Sequence, residues 1–439
     1  MPEGRMEERM KIQKLLSVML SAVMLVSLSA CGNGAADQSS GSVAKSASNG
    51  DSDSSTTLNF IVQEVDYDHV KEALEPYLAE HKNITVDLVK VADFTALNQK
   101  VLAAHQAGDD YDLMFINHVD ALAFSKAGVL EPLNDYTQKD SIDYSELLYP
   151  SLVESCTFDG TLYAVPVNTD TRVMAVNKDL FEQYSQKYPQ TQEEMLETAQ
   201  VMTNDGNYGF VNSMTRSAYV PEYEQGVFLV GNGGSLYTLE GKQAIAQIDT
   251  QEMKDYLNFN LELLKYMPKD SLTMSEDDGR KVFTSGNAAM YIFGPWEYSL
   301  LPELDFTYEL ISIPAGTKGT GSTSGGYHMA IGSGSEHKEA AWDLMKALTT
   351  SPESMAKVAA TALPTMDAAF EIAPYTDAKY DAFREQLKTS SLPQVPVANL
   401  GAVVEEFNNY WTDILYGKIS VDDACKEAQE SVQALLDKN

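Results

Sequence analysis

From Leu58 onward, short apolar runs alternate with stretches of helical spacing. Leu58-Asn59-Phe60-Ile61-Val62 predicts a buried first strand. Residues 66–81 then put Val70, Leu74, Tyr77 and Leu78 on one helical face, and Ile84 to Val91 is β-branched and alternating, which predicts a second strand. The helical pattern returns over 94–107. Tyr111 to Asn117 predicts a third strand, followed by a helix over 119–127 that Gly128 stops. Strands alternating with helices predict an α/β domain with a largely parallel sheet. In such sheets ligands lie beyond the carboxyl ends of the strands, which here are Gln63 to Asp66 and Asn117 to Asp120.

The pattern then changes. Residues 177–205 and 250–266 predict long amphipathic helices, 287–293 and 307–313 shorter strands, and 336–349, 351–360, 376–389, 400–416 and 420–436 further helices. Turn-rich breaks fall at Pro166 to Asp170, Pro314 to Gly326 and Leu363 to Asp367. No internal repeat is found. Trp342 and Trp411 lie on apolar helical stripes and are expected in the core.

Ahead of Leu58 the composition is of another kind. Lys11 and Lys14 precede an almost wholly apolar stretch at 15–28, shorter than a membrane-spanning helix needs and of signal-peptide length. It ends Leu28-Ser29-Ala30-Cys31, which resembles the lipobox of bacterial lipoproteins, where the cysteine thiol takes a diacylglyceryl group. The expectation is a signal peptide at 1–30 and a chain held by membrane lipid through Cys31 on the extracellular face of the cell membrane. An ordinary secretory signal with a chance cysteine is the alternative. Glu3, Glu7 and Glu8 dilute the positive start and suggest that translation begins at Met10. Residues 31–57, after the cysteine, hold almost no bulky apolar side chains and read as a flexible tether.

The net charge is −33; residues 1–31 carry four basic and three acidic side chains, so the mature chain stands at −34. That balance argues against nucleic acid and anionic substrates and suits a neutral or cationic ligand. Cys156 and Cys425, far apart in sequence, are expected as buried free thiols. No Gly-x-Ser-x-Gly, His-Glu-x-x-His or Walker loop occurs, and the six histidines form no ligand-like pair. The acidic clusters Asp109 to Asp112 and Glu276 to Asp278 lack the spacing of a calcium loop and read as solvated turns. No catalytic set, metal site or cofactor is expected.

Five segments occur in order: DGTLYAVP at Asp159–Pro166, AVNKDLF at Ala175–Phe181, SGNAAMYIFGPW at Ser285–Trp296, GGYHMAI at Gly325–Ile331 and HKEAAWDLMKAL at His337–Leu348. Together these resemble the extracellular solute-binding proteins of bacterial ABC sugar importers, the maltose-binding-protein-like family, over nearly all of 58–439. The resemblance implies a two-lobed periplasmic-binding-protein-like α/β fold with hinge crossings at the three breaks. Lobe 1 would comprise 58–167 with 322–365, and lobe 2 168–321 with 366–439. It implies a carbohydrate bound in the interlobe cleft, delivery to ABC permease subunits, and no chemistry. A monomer is expected.

A sugar needs an aromatic plate for its C–H face, with carboxylates and amides around its rim. Trp296 follows Gly294-Pro295, a turn that lifts the ring from its strand, and the family's matching tryptophan stacks on sugar. Glu297 beside it suits a hydroxyl. Glu64, Asp66 and Tyr67 leave the first strand; Asn117, His118 and Asp120 leave the third; Asn168 and Asp170 lie at the first crossing. Tyr327 and His328 follow two glycines and suit packing or contact, while Tyr219 and Tyr223 flank Pro221 in a loop. Two other readings stay open: the same fold binding a polyamine or a peptide, and a surface glycosidase using paired carboxylates.

Overall fold

The computed structural model describes residues 55–438 apart from 93, 205, 217–219, 241–242, 360–361, 390, 394–396 and 398. The signal peptide expected at 1–30, Cys31, most of the tether and Tyr219 lie outside the described residues. The described strands that organise the chain are β1 (Thr56–Gln63), β2 (Ile84–Val91), β3 (Leu113–Asn117), β4 (Val165–Thr169), β5 (Val173–Asn177), β6 (Met290–Phe293), β7 (Tyr308–Ile311), β8 (Ser322–Ser324), β9 (Gly326–Ile331) and β10 (Ser391–Pro393). Strand β1 begins at Thr56, two residues ahead of the apolar run.

A five-stranded sheet runs β2-β1-β3-β9-β4. The first three strands are parallel, and β9 is antiparallel to both its neighbours, so the sheet is mixed where a largely parallel one was expected. Strand β1, flanked on both sides, buries Leu58, Phe60, Ile61 and Val62, and Phe60 meets Phe115 of β3 edge-to-face at 5.3 Å. A second sheet, β6-β5-β7, is wholly antiparallel. Strand β5 is buried on both faces and divides two cores. Val173 and Ala175 join the core of the first sheet, whereas Met174 and Val176 join a core built on helices Gln192–Met202, Gln251–Leu263, Leu400–Leu415 and Val421–Leu436. Trp342 and Trp411 are fully buried, as their stripes predict; Trp411 stacks on Tyr256. Cys156 and Cys425 are buried free thiols.

Three expectations need correcting. The long helix over 177–205 is two, Lys178–Gln183 and Gln192–Met202. Pro189 supplies no N–H to a continuing helix, Ser185 is left-handed at φ 51°, and Thr191 restarts the helix by accepting from Glu194 N. The break placed at Pro166 to Asp170 is mostly strand: Val165–Thr169 is β4, buried throughout. Pro166 is tolerated there because β4 is an edge strand. The Asp109 to Asp112 cluster is not simply a solvated turn. Asp112 is buried, accepting from Asn59 N at 2.8 Å and from Ser335 Oγ.

The crossings between the sheets are laced together. The first is only Asp170-Thr171-Arg172, between β4 and β5. Buried Ser322 accepts from Arg172 N at 3.0 Å and Thr171 Oγ1 at 2.9 Å, and donates to Arg172 O at 2.9 Å. Thr169 and Leu363 exchange two backbone hydrogen bonds of 2.8 Å. Strand β8 pairs in parallel with β10. Beyond Leu363, the Tyr375 hydroxyl donates to Ala359 O and Ala362 O, which ties Tyr375 to the end of helix Pro352–Val358.

Candidate functional site

The carboxyl ends of β1 and β3 and the first crossing converge. Tyr327 of β9 pairs with Asn117 of β3 on one side and Asn168 of β4 on the other, so the three stand in one row. Tyr327 N donates to Asn168 Oδ1 at 2.9 Å. The register between β9 and β4 steps over Val167, a bulge of the kind that re-aims side chains beside sites. Gly326, at φ 132°, is required here: a Cβ would lie 2.3 Å from Asn168 O. Burial, then the Asp66 carboxylate, raise the Tyr327 phenol, and Asp66 is itself buried.

Asn117 accepts from Val119 N and caps a short turn at His118–Asp120 that carries His118 into the interior. Its Nε2 lies 3.5 Å from the Tyr223 hydroxyl. Burial lowers the imidazole to about 4, with Asp170 opposing, so His118 is neutral near pH 7. His328, edge-on to it at 6.3 Å, belongs to the core rather than the row: its Nε2 is 3.2 Å from buried Ser155 Oγ, and burial lowers it to about 3.

Arg172 is the centre of the arrangement and was not foreseen. It is 7 % exposed, ion-paired to Asp170 through Nη1, and directs Nε and Nη2 to Glu224 Oε1, both at 3.2 Å. Its guanidinium lies 4.8 Å over the Trp296 ring and 5.4 Å over the Tyr223 ring. Tyr223 and Glu224 sit on a π-type turn, Val220–Glu224, pinned by Tyr256 Oη donating to Pro221 O and Thr323 Oγ1 donating to Tyr223 O. Burial raises Glu224 to about 7; Arg172 opposes, while Glu276 and Asp170 add to it. The signals for these two residues were thin: Arg172 stands two positions past Asp170, and Glu224 beside Tyr223.

The remaining expected residues divide. Trp296 is partly exposed, and its ring lies across Gly294, where a Cβ would come within 2.2 Å of it. Glu297, expected to meet a hydroxyl, is instead 2 % exposed and committed: Arg280 grips it at 2.6 and 3.0 Å, and Tyr291 donates to it at 3.1 Å. Glu64 is exposed and paired with Lys90, whose ammonium also covers the Tyr67 ring. Asp120 accepts from Asn98 at 2.9 Å, and burial raises its carboxyl. Thus Asp66, Asn168, Asp170, Tyr223, Trp296, Tyr327 and His118 come together with Arg172 and Glu224, while Glu64, Tyr67, Asp120 and Glu297 have other partners. Among the described residues no cluster of three or more His, Cys, Asp or Glu could hold a metal ion, and no helix is long and apolar enough to cross a membrane. Aromatic faces ringed by carboxylate, amide and imidazole groups suit a polar, ring-shaped guest.

The sequence profile of the family described as bacterial extracellular solute-binding protein matches residues 61–355. A maltotriose-binding protein of Pyrococcus abyssi is 23% identical over 290 residues, covering 65% of this chain and 60% of the relative. A Thermotoga lettingae ABC transporter solute-binding protein, solved with α-D-tagatose, superposes with TM-score 0.69 at 26% identity, over 87% of this chain and 100% of that one. The sugar-binding protein of Xanthomonas citri shares the fold at TM-score 0.77 and 22% identity, over 87% and 98% of the two chains.

Proposed function

Since the chain belongs to the bacterial extracellular solute-binding protein family, whose profile covers residues 61–355, we propose that it captures a sugar or oligosaccharide between its two lobes and delivers it to an ABC permease, without chemistry of its own. The observation that carries this reading is the meeting of Trp296 and Tyr223 with Asp66, Asn168, Asp170 and His118 at the carboxyl ends of β1 and β3 and the first crossing. Aromatic planes receive the C–H faces of a pyranose, and the polar groups receive its hydroxyls. Sugars bound to relatives support the ligand class: tagatose in the Thermotoga lettingae protein, maltotriose in the name of the Pyrococcus abyssi one.

In this reading lobe 1 is 58–167 with 322–365 and lobe 2 is 168–321 with 366–439. Tyr223 meets His118 across the division, so ligand and lobe contacts coincide. A thermal-shift and calorimetric screen against mono- and oligosaccharides tests the function. Stabilisation by one sugar family is expected; an enzymatic turnover of aryl glycosides would refute it. The lipobox-like Leu28-Ser29-Ala30-Cys31 supports an anchor on the outer face of the cell membrane, with the signal removed before Cys31. Mass spectrometry of the mature chain should find a diacylglyceryl group on an N-terminal Cys31, and an unmodified cysteine there would refute the anchor.

A further inference from the structure

The charges at the site do not balance. Asp170 and Glu224 share one guanidinium, Arg172. Asp66, also buried, follows the carboxyl end of β1, at the strand ends where Asn117, Tyr327 and Asn168 stand in one row, and adds a third carboxylate to that site. The neighbouring basic groups are spent elsewhere: Arg280 on Glu297 and Asp277, Lys90 on Glu64. Asp66 and Glu224 are buried, where excess negative charge is costly unless a proton or a cation offsets it. The aromatic faces of Trp296 and Tyr223, already turned to one cation, attract positive charge by their quadrupoles. A separate observation points to a polar guest in the same place. Asn168, 1 % exposed, has no partner for its Nδ2, and the amide of Gln225, next to Glu224 and 0 % exposed, has none for either end.

We propose that the sugar taken here carries a protonated amino group, an amino sugar or its oligomer, with the ammonium seated among Asp66, Asp170 and Glu224 and against the faces of Trp296 and Tyr223. This rests on the sugar-binding reading above. Uronic and phosphorylated sugars are turned away by the same carboxylates, and N-acetylation, which removes the charge, removes the advantage.

The test is calorimetry on the full chain at pH 7 and low salt with matched sets of mono- and disaccharides in both linkage configurations: glucose, glucosamine, N-acetylglucosamine and glucuronate, and the galactose counterparts, with spermidine alongside. Within whichever set binds, the amine should bind roughly tenfold tighter than its hydroxyl twin, and the gap should narrow as salt is raised. Asp170→Asn should erase most of that gap, weakening the amine several-fold more than its neutral twin. Should Asp170→Asn unfold the chain, Glu276→Gln, at the exposed start of a helix, should narrow the gap by a smaller factor. A neutral sugar binding as well as its amine, or a uronate binding better, overturns the inference and leaves the sugar reading intact. Silence toward every sugar, with or without a response to spermidine, overturns the sugar reading itself.

Discussion

Trp296 owes its position to the absence of a side chain two residues before it. Its ring occupies the space that a Cβ at Gly294 would claim. Gly294→Ala should therefore displace the ring and weaken sugar binding on the order of tenfold, approaching the loss in Trp296→Ala. Calorimetric titration checks both, and for Gly294→Ala the Trp296 emission can be followed as well, because Trp342 and Trp411 are buried and supply a constant background. The sequence made Trp296 legible through Gly294-Pro295 but offered nothing to separate it from Glu297, whose fate is decided by Arg280, seventeen positions earlier on another helix. The two buried histidines carry a pH prediction. Their folded-state values, about 4 for His118 and about 3 for His328, lie below the usual 6.5, so the unfolded chain binds protons first. Their contribution is complete above about pH 6.5 and is lost as pH falls through about 4 for His118 and about 3 for His328, on the order of 3–5 kcal/mol each. Glu224 runs the other way: raised to about 7, it favours the folded state below its ordinary value near 4.5 and loses that contribution as pH rises to 7. Denaturation midpoints across pH 4–8 for the wild type, His328→Gln and Glu224→Gln separate the slopes; a histidine variant with an unchanged acid limb would contradict this assignment.

At the scale of elements, the strongly patterned segments were readable and the junctions were not. Strand Ile84–Val91 and helix Phe94–Ala107 fall where periodicity puts them, because an edge strand and a half-buried helix display their period openly. Strand β4 was obscured by Pro166, tolerable only at a sheet edge, and edges are a property of strand order that local sequence does not encode. The split of 177–205 did leave a mark, Thr191 followed by Glu194, the pattern of a helix start, but the amphipathic period ran past it. The crossings make the most specific prediction at this scale. Ser322→Ala strips buried hydrogen bonds from Thr171 and from both backbone polar groups of Arg172, at a cost of about 1–3 kcal/mol. A lower urea midpoint with an unchanged slope is expected. An unchanged midpoint would mean that the two crossings are not tied through this hydroxyl.

For the molecule as a whole, the family was legible from five ordered segments, and the profile match over residues 61–355 agrees with that assignment. The site was legible only as far as it lies at strand ends. Arg172 and Glu224, which join the first crossing to the second sheet's helices, come from positions 52 apart and meet only in the fold. A receptor of this architecture has open and closed states separated by little free energy, and ligand contacts shift the population. Saturating sugar should therefore shrink the radius of gyration in small-angle scattering and raise the melting temperature by mass action; an unchanged radius with bound ligand would speak against lobe closure.

The first crossing is three residues long, and two of them, Asp170 and Arg172, are also groups of the candidate site. Selectivity and stiffness therefore share the same atoms. A fluorescent sensor engineered from this chain would show the consequence directly. Retuning its sugar preference at Asp170 or Arg172 would shift the dark-state signal along with the selectivity, because the joint itself has been rebuilt. Retuning at Trp296 or Tyr327, which stand off the joint, would leave the baseline in place and change only what the sensor reports.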